Sequence, residues 1–177
     1  MGTKNNWYVI TGGPYAGKTT LINLLGEKGF KIIQEAARIL IDEELAKGKT
    51  LAEIREDEQK FQEKILGMKL GIEKKLSKNE IIFFDRGIHD TEAYYNLYGF
   101  KIDNKLKQIF KNNTYKKVFL LDPLEYKKDY ARTESKEQQL KIYVLLAETY
   151  KKIGIPLLRV PVMNSELERL EFILENL

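Results

Sequence analysis

Residues 10–20, with the sequence ITGGPYAGKTT, combine little side-chain bulk with one cation and several hydroxyl groups. Positions 12–19 match the phosphate-loop pattern G-x-x-x-x-G-K-[ST]. In such a loop the backbone N–H groups converge on a phosphate, and bulky side chains would obstruct its approach. The predicted helix that follows adds the positive end of its dipole. We therefore predict that this stretch binds the polyphosphate of a nucleotide.

The side chains that close the motif have separate predicted roles. Lys18 has the length to contact the β- and γ-phosphates, and the Thr19 hydroxyl suits Mg²⁺. No guanine-binding N-K-x-D motif follows, so the sequence does not decide between ATP and GTP. We expect residues 160–164 to contact the base. The residues predicted to bind the nucleotide are Gly12, Gly13, Pro14, Tyr15, Ala16, Gly17, Lys18, Thr19 and Thr20.

Charged residues end two other predicted strands. Asp85 directly follows the apolar run IIFF, where a carboxylate would ligate Mg²⁺, usually through water. Glu35 would accept a proton from a substrate hydroxyl, and Arg38 and Arg86 would bind an anionic group of the substrate. The alternatives are ordinary ones: a strand-ending turn residue at Asp85, a helix-start carboxylate with a surface arginine at Glu35 and Arg38, and a structural ion pair at Arg86.

Two further residues have competing interpretations. Arg132 lies in DYARTES, within a polar segment at about 123–136 that we interpret as a lid. There it would stabilise charge on the transferring phosphoryl group and so join Lys18, Glu35 and Asp85 as a catalytic candidate; otherwise it is an exposed loop cation. His89 is the only histidine and the chain has no cysteine, which argues against a zinc site and favours a structural histidine.

Short apolar runs alternate with amphipathic segments along the chain, which predicts an α/β fold. This alternation is typical of right-handed crossovers around a mostly parallel, five-stranded sheet with helices on both faces. Ligands then gather at the carboxyl ends of the strands. The predicted strands are 7–10, 30–33, 81–84, 118–121 and 157–160. The predicted helices are 18–28, 36–47, a long helix over about 50–76, 90–98, 103–111, 135–154 and 165–177.

Composition predicts one domain, 1–177, with a helical segment at about 50–78 on the acceptor side of the site. The lack of cysteine fits a cytoplasmic setting, and we expect neither a membrane span nor a secretory signal. The net charge of +4 comes mainly from scattered lysines, so nucleic-acid binding is possible but not required. Arginine offers a planar fork for phosphate and is scarce here. The arginines are Arg38, Arg55, Arg86, Arg132, Arg159 and Arg169.

Several stretches together resemble the small AAA-type domain that NadR-like proteins share with the TRP-like-channel translocation-defect proteins. They are ITGGPYAGKTTLINLL, EAARILIDEEL, FFDRGIHDTEAYY, DYARTES and VPVMNSELERLEFIL, and the resemblance runs nearly end to end. It implies a three-layer P-loop fold like that of nucleoside and nucleotide kinases, which binds a nucleoside triphosphate with Mg²⁺. NadR relatives phosphorylate a nucleoside. Tyr15 departs from the family, which often carries glycine there.

The residues and the resemblance together favour a Mg²⁺-dependent P-loop phosphotransferase. It would move the γ-phosphoryl group of ATP to a small hydroxylated acceptor such as a nucleoside. A nucleotide-dependent switch that hydrolyses ATP or GTP would use the same loop and is the alternative. A polynucleotide end kinase is a weaker alternative, favoured only by the positive charge. Any protein partner is left undefined.

Overall fold

The computed structural model describes residues 5–124 and 135–177. Strands and helices alternate through most of this part of the chain. The strands are β1 (Trp7–Thr11), β2 (Lys31–Ile33), β3 (Ile82–Asp85), β4 (Lys117–Leu121) and β5 (Leu157–Val160). The helices are α1 (Lys18–Glu27), α2 (Ala36–Ala46), α3 (Leu51–Ile54), α4 (Glu58–Glu73), α5 (Ile88–Tyr98), α6 (Asn104–Asn112), α7 (Lys136–Ile153) and α8 (Glu166–Glu175).

The five strands form one parallel sheet in the order β2-β3-β1-β4-β5. All residues of β1 and β3 are buried, as expected for central strands covered on both faces. Parallel pairing brings the carboxyl ends of the strands to one edge, so Ile10 of β1 lies beside Asp85 of β3. The predicted five-stranded α/β fold is confirmed.

Each face of the sheet has its own hydrophobic core, because successive strand residues point to opposite faces. One core packs α1 and α8 on the sheet; it includes Tyr8, Ile10, Leu21, Leu25, Phe119 and Ile173. The other packs α5 and α7 on the opposite face; it includes Val9, Phe84, Ala93, Val118, Ile142 and Leu146. None of the helices described has the length and apolar composition needed to cross a bilayer.

The predicted long helix over 50–76 is wrong in one respect, because the structure divides it in two. The capping box at Thr50 forms as expected but opens only the short α3. The Asp57 side chain then accepts a hydrogen bond from the Lys60 amide and caps α4. A side chain that caps a new helix ends the old one, since its residue takes an extended backbone conformation. Phe61 and Ile65 of α4 pack against α2 in a third cluster.

The turn between β3 and α5 leaves no room for a side chain at Gly87. A Cβ atom there would lie 2.8 Å from Tyr115 Cε2 and 2.8 Å from the Tyr150 hydroxyl. Gly71, in α4, has no atom within 4 Å of a corresponding Cβ. The two glycines therefore stand in opposite environments.

We expect Gly87→Ala to lower the free energy of unfolding by about 1–3 kcal/mol, because two packed rings would have to move. Gly71→Ala is the control and should raise stability by about 0.5–1 kcal/mol, since alanine loses less backbone entropy in a helix. Urea unfolding followed by circular dichroism measures both. Equal stabilities for the two variants would contradict the packing described here.

Candidate active site

The predicted phosphate loop connects β1 to α1 and has an unusual backbone. Gly12 and Gly17 have φ angles of 155° and 82°, and Tyr15 has a φ of 62°. Tyr15 thus occupies the left-handed region that glycine prefers, which accounts for the glycine expected there in relatives. Gly17 caps α1 without a side-chain hydrogen bond, and the first turn contains no acidic residue. The positive end of α1 is therefore available to an anion.

Lys18 is directed into this loop. Its side chain is 2% exposed, and its Nζ donates a hydrogen bond to the carbonyl of Gly13 at 2.8 Å. Burial holds the ammonium group against the loop rather than in solvent. This position suits the predicted contact with the β- and γ-phosphates.

Thr19 and Asp85 come together across the start of α1. The Thr19 hydroxyl lies 3.4 Å from Asp85 Oδ2, and Asp85 is buried at the end of β3. A hydroxyl and a carboxylate are hard oxygen ligands that fit Mg²⁺. Among the described residues no cluster of three or more acidic or histidine side chains could enclose a metal. Such an ion would take its other ligands from phosphate and water, as Mg²⁺ commonly does.

Arg86 joins the end of β3 to the start of α2. Its Nε donates to Glu35 Oε1 at 2.8 Å, and its Nη1 lies 3.3 Å from the carbonyl of Gly12. Its φ is 69°, so the guanidinium is held here at the cost of backbone strain. Arg86 thus forms an ion pair with Glu35 beside the phosphate loop, and its role in binding substrate stays a prediction.

Asp90 fixes the turn between β3 and α5. Its carboxylate accepts hydrogen bonds from the Gly87 amide at 3.0 Å and from the hydroxyls of Thr11 and Tyr150. It also lies 3.5 Å from Arg86 Nη1 and is 1% exposed. Arg86 therefore faces two carboxylates, Glu35 and Asp90, and the second of these is fixed by three donors.

Two charged residues of α4 hold the same turn, and sequence reasoning missed both. Lys69 Nζ donates to the Gly87 carbonyl at 2.7 Å. Glu73 accepts from the Tyr115 hydroxyl at 2.6 Å, and that hydroxyl accepts from the Ile88 amide at 2.7 Å. Burial lowers the pKa of Lys69 and raises the pKa of Glu73 to about 7. Their positions four and eight residues after the buried Ile65, on the same helix face, were the available signal.

Two cavities open at this edge of the sheet. The first is a groove of about 660 Å³ along the phosphate loop, lined by Tyr15–Thr20, Asp85 and residues of α2. The second lies between α2, α4 and α5, with Pro14 of the loop at its border. Glu35 and Arg38 line both cavities, so the predicted substrate residues stand at their junction. The second cavity also contains residues not predicted, among them Arg55, Phe61, Gln62, Lys69 and Tyr94.

Three other charged or titratable residues were named from the sequence or end a strand: Arg132, His89 and Asp122. Arg132 lies outside the described residues, as does most of the predicted lid. His89 is buried, with Nε2 3.1 Å from the carbonyl of Asn113, and burial lowers its pKa to about 4. It behaves as the structural histidine that was favoured. At the end of β4, Asp122 binds Arg159 through two hydrogen bonds of 2.6 and 2.7 Å.

The parallel sheet and the loop after β1 define a P-loop domain. The chain belongs to an AAA domain family, whose model matches residues 7–169. No protein among those with curated functions matches it.

Solved structures that resemble this one include kinases and NadR. A deoxyadenosine kinase from M. mycoides superimposes with a TM-score of 0.65 at 20% identity, covering 96% of this chain and 97% of the other. Thymidylate kinase from Candida albicans gives 0.68 at 16% identity, covering 98% and 91%. NadR in complex with NAD and AMP-PNP gives 0.71 at 15% identity, covering 97% of this chain but 49% of NadR. At these identities the likeness concerns the fold.

Glu73 provides a test of the buried contacts that hold the turn after β3 through Tyr115. Its pKa is about 7 in the folded protein against 4.5 for an ordinary glutamate, so between these values the folded protein binds more protons. Stability contributed by the protonated carboxyl is therefore present below pH 4.5 and lost as the pH rises through 7. We expect Glu73→Gln to gain stability relative to the wild type across this window, by roughly 3 kcal/mol.

Denaturant unfolding at several pH values measures this difference. His89 titrates in the opposite sense, but both proteins carry it and its contribution cancels. Parallel stability curves for the two proteins between pH 4.5 and 7.5 would mean that Glu73 is not held as described.

Proposed function

We propose that this protein is a Mg²⁺-dependent P-loop phosphotransferase that moves the γ-phosphoryl group of ATP to a hydroxyl of a small acceptor. A nucleoside is the acceptor class that the side chains lining the second cavity favour. The observation that carries the proposal is the junction of the two cavities at Glu35 and Arg38. Transfer between two bound molecules needs adjacent sites with charged groups where they meet. A protein that only binds or hydrolyses a nucleotide needs the first cavity alone.

On the donor side, the loop amides and Lys18 would hold the polyphosphate. Thr19 and Asp85 would hold Mg²⁺, which, when bound, neutralises charge on the transferring group. NadR was solved in complex with AMP-PNP and the M. mycoides kinase with bound dATP, which supports an adenine nucleotide as the donor. We assign ATP before GTP on this basis.

On the acceptor side, the second cavity combines apolar walls with a few polar groups. Ile41, Phe61 and Ile65 supply apolar surface that suits a flat ring. Gln62 is 4% exposed, and its amide nitrogen is bound to Glu58 at 2.9 Å. Its amide oxygen accepts no hydrogen bond from the described residues. An N–H group of a nucleoside base would donate a hydrogen bond to that oxygen. These features support a nucleoside rather than a simple alcohol.

The reaction would proceed at the junction. The acceptor oxygen forms a bond to the γ-phosphorus while the bond from phosphorus to the β–γ bridging oxygen breaks, which leaves ADP. Glu35 takes the proton of the acceptor hydroxyl. Arg86 orients Glu35 through their 2.8 Å contact, and Arg38 offers positive charge to the transferring group.

Three further assignments belong to this proposal. Residues 1–177 act as one phosphotransferase domain, and a cytoplasmic setting suits its use of ATP. The segment 50–78, which contains α3 and α4, walls the acceptor cavity. The segment 123–136 serves as a lid, from which Arg132 neutralises charge during transfer.

A screen of acceptors tests the function directly. The protein is incubated with Mg²⁺ and ATP labelled at the γ-phosphate, together with nucleosides, other small alcohols or a 5′-hydroxyl oligonucleotide. We expect at least one nucleoside to accept the label and to accelerate ADP release, and Lys18→Ala to abolish both. ADP release that is the same with every acceptor would replace the kinase by a nucleotide hydrolase. Labelling of the oligonucleotide alone would favour an end kinase.

Glu35→Gln tests the proposed base. Glutamine keeps an oxygen for Arg86 but cannot take a proton, so we expect kcat for transfer to fall by about 10²–10⁴-fold with MgATP affinity unchanged. Glu43→Gln, on the exposed side of α2, is the matched control and should transfer at the wild-type rate. Equal rates for the wild type and Glu35→Gln would remove the base role.

A further inference from the structure

Two side chains from the last third of the chain hold carbonyl groups of the phosphate loop. Arg169 of α8 is 2% exposed, and its Nη1 donates to the carbonyl of Ala16 at 2.9 Å. Gln139 of α7 is also 2% exposed, and its Nε2 donates to the carbonyl of Pro14 at 2.6 Å. The two helices therefore contact the loop from the side that packs against the protein.

These contacts fix the direction of two loop amides. In a trans peptide unit the C=O group and the following N–H group point in opposite directions. The described residues contain no cis peptide bond. Since the carbonyls of Pro14 and Ala16 point toward the protein, the amides of Tyr15 and Gly17 point away from it. Both residues line the groove in which we place the nucleotide phosphates.

The surroundings of Arg169 add a second argument. No carboxylate of the described residues lies within 4 Å of its guanidinium. The nearby Asp122 carboxylate is bound by Arg159 and by the Tyr143 hydroxyl, and Asp122 offers only its main-chain carbonyl to Arg169, at 3.4 Å. Asp122 and Glu166 act on the Arg169 charge only from a greater distance, and a buried cation without a close counter-charge is costly. An anion on the far side of the loop would supply that charge.

The helices also approach the loop too closely for other residues. A Cβ atom at Gly13 would lie 2.9 Å from the carbonyl oxygen of Gln139, and one at Gly17 would lie 3.3 Å from Arg169 Nη1. Gly13 and Gly17 thus admit α7 and α8 on one side of the loop as well as phosphate on the other.

We propose that Gln139 and Arg169 are positioning residues that orient the Tyr15 and Gly17 amides for the polyphosphate before it binds. This inference rests on the phosphate-binding part of the proposed function and is independent of the acceptor. Preset amides need no reorganisation when the nucleotide arrives, so these two residues contribute to affinity although they touch no substrate. Arg169 in addition places one buried positive charge behind the loop.

Two conservative variants test the proposal. Arg169→Lys keeps the charge but loses the planar fork, and Gln139→Met keeps the length but loses the donor. We expect each to bind MgATP and inorganic tripolyphosphate about tenfold more weakly by titration calorimetry, as for the loss of one orienting contact. The unfolding temperature without ligand should stay near that of the wild type. Lys141→Met, on the exposed side of α7, is the control and should bind as the wild type does.

The outcomes separate this inference from the proposed function. Wild-type protein that binds neither MgATP nor tripolyphosphate would overturn the proposed function itself. Wild-type binding with unchanged affinity in both variants would overturn only the positioning role, and so would a lowered unfolding temperature with unchanged tripolyphosphate affinity. The two contacts are separate, so a variant that fails to fold leaves the other to decide.

Discussion

Parallel pairing of β1 with β3 is the constraint on which the site depends. The pairing sets Ile10 beside Asp85, and the Arg86 amide donates to the Ile10 carbonyl at 3.1 Å. The loop that follows β1 and the polar residues that follow β3 must therefore leave the sheet at the same edge. A shift of one residue in this register would point each strand side chain to the opposite face. It would also separate Asp85 from Thr19.

Positive charge is concentrated at this edge in a buried form. Lys18, Lys69, Arg86 and Arg169 are each less than 10% exposed, and all four donate to carbonyl groups of the phosphate loop or of the turn after β3. Burial strengthens the interaction of such groups with an anion, because little water competes. Arg86 has its counter-charge in Glu35 and Asp90, whereas burial is costly for Arg169, which has no carboxylate within 4 Å among the described residues. An anion-binding edge accounts for both facts.

The helix α4 both lines the second cavity and holds the turn after β3. Its Phe61 and Ile65 pack against α2 and line the second cavity. One and two turns further on, Lys69 and Glu73 hold the backbone that carries Arg86. A change in the packing of α4 on a bound molecule would therefore reach the Arg86–Glu35 pair through direct contacts.

The sequence by itself determined the fold class and the phosphate loop. Alternating short apolar runs and amphipathic segments are local patterns. Gly12, Gly17 and Lys18 likewise lie in one short stretch of the chain, so both features could be recognised without tertiary contacts. The strand-end residues Glu35 and Asp85 followed from the rule that ligands gather at the carboxyl ends of parallel strands.

The tertiary structure alone decided which distant residues support that loop. Gln139 and Arg169 lie 125 and 153 residues from their loop partners, and Lys69 and Glu73 lie within a helix that the sequence shows only as amphipathic. A polar side chain in a helix gives no local sign of whether it faces water or a buried carbonyl. That depends on how α4, α7 and α8 pack against the sheet, and packing is fixed by contacts between segments far apart in sequence.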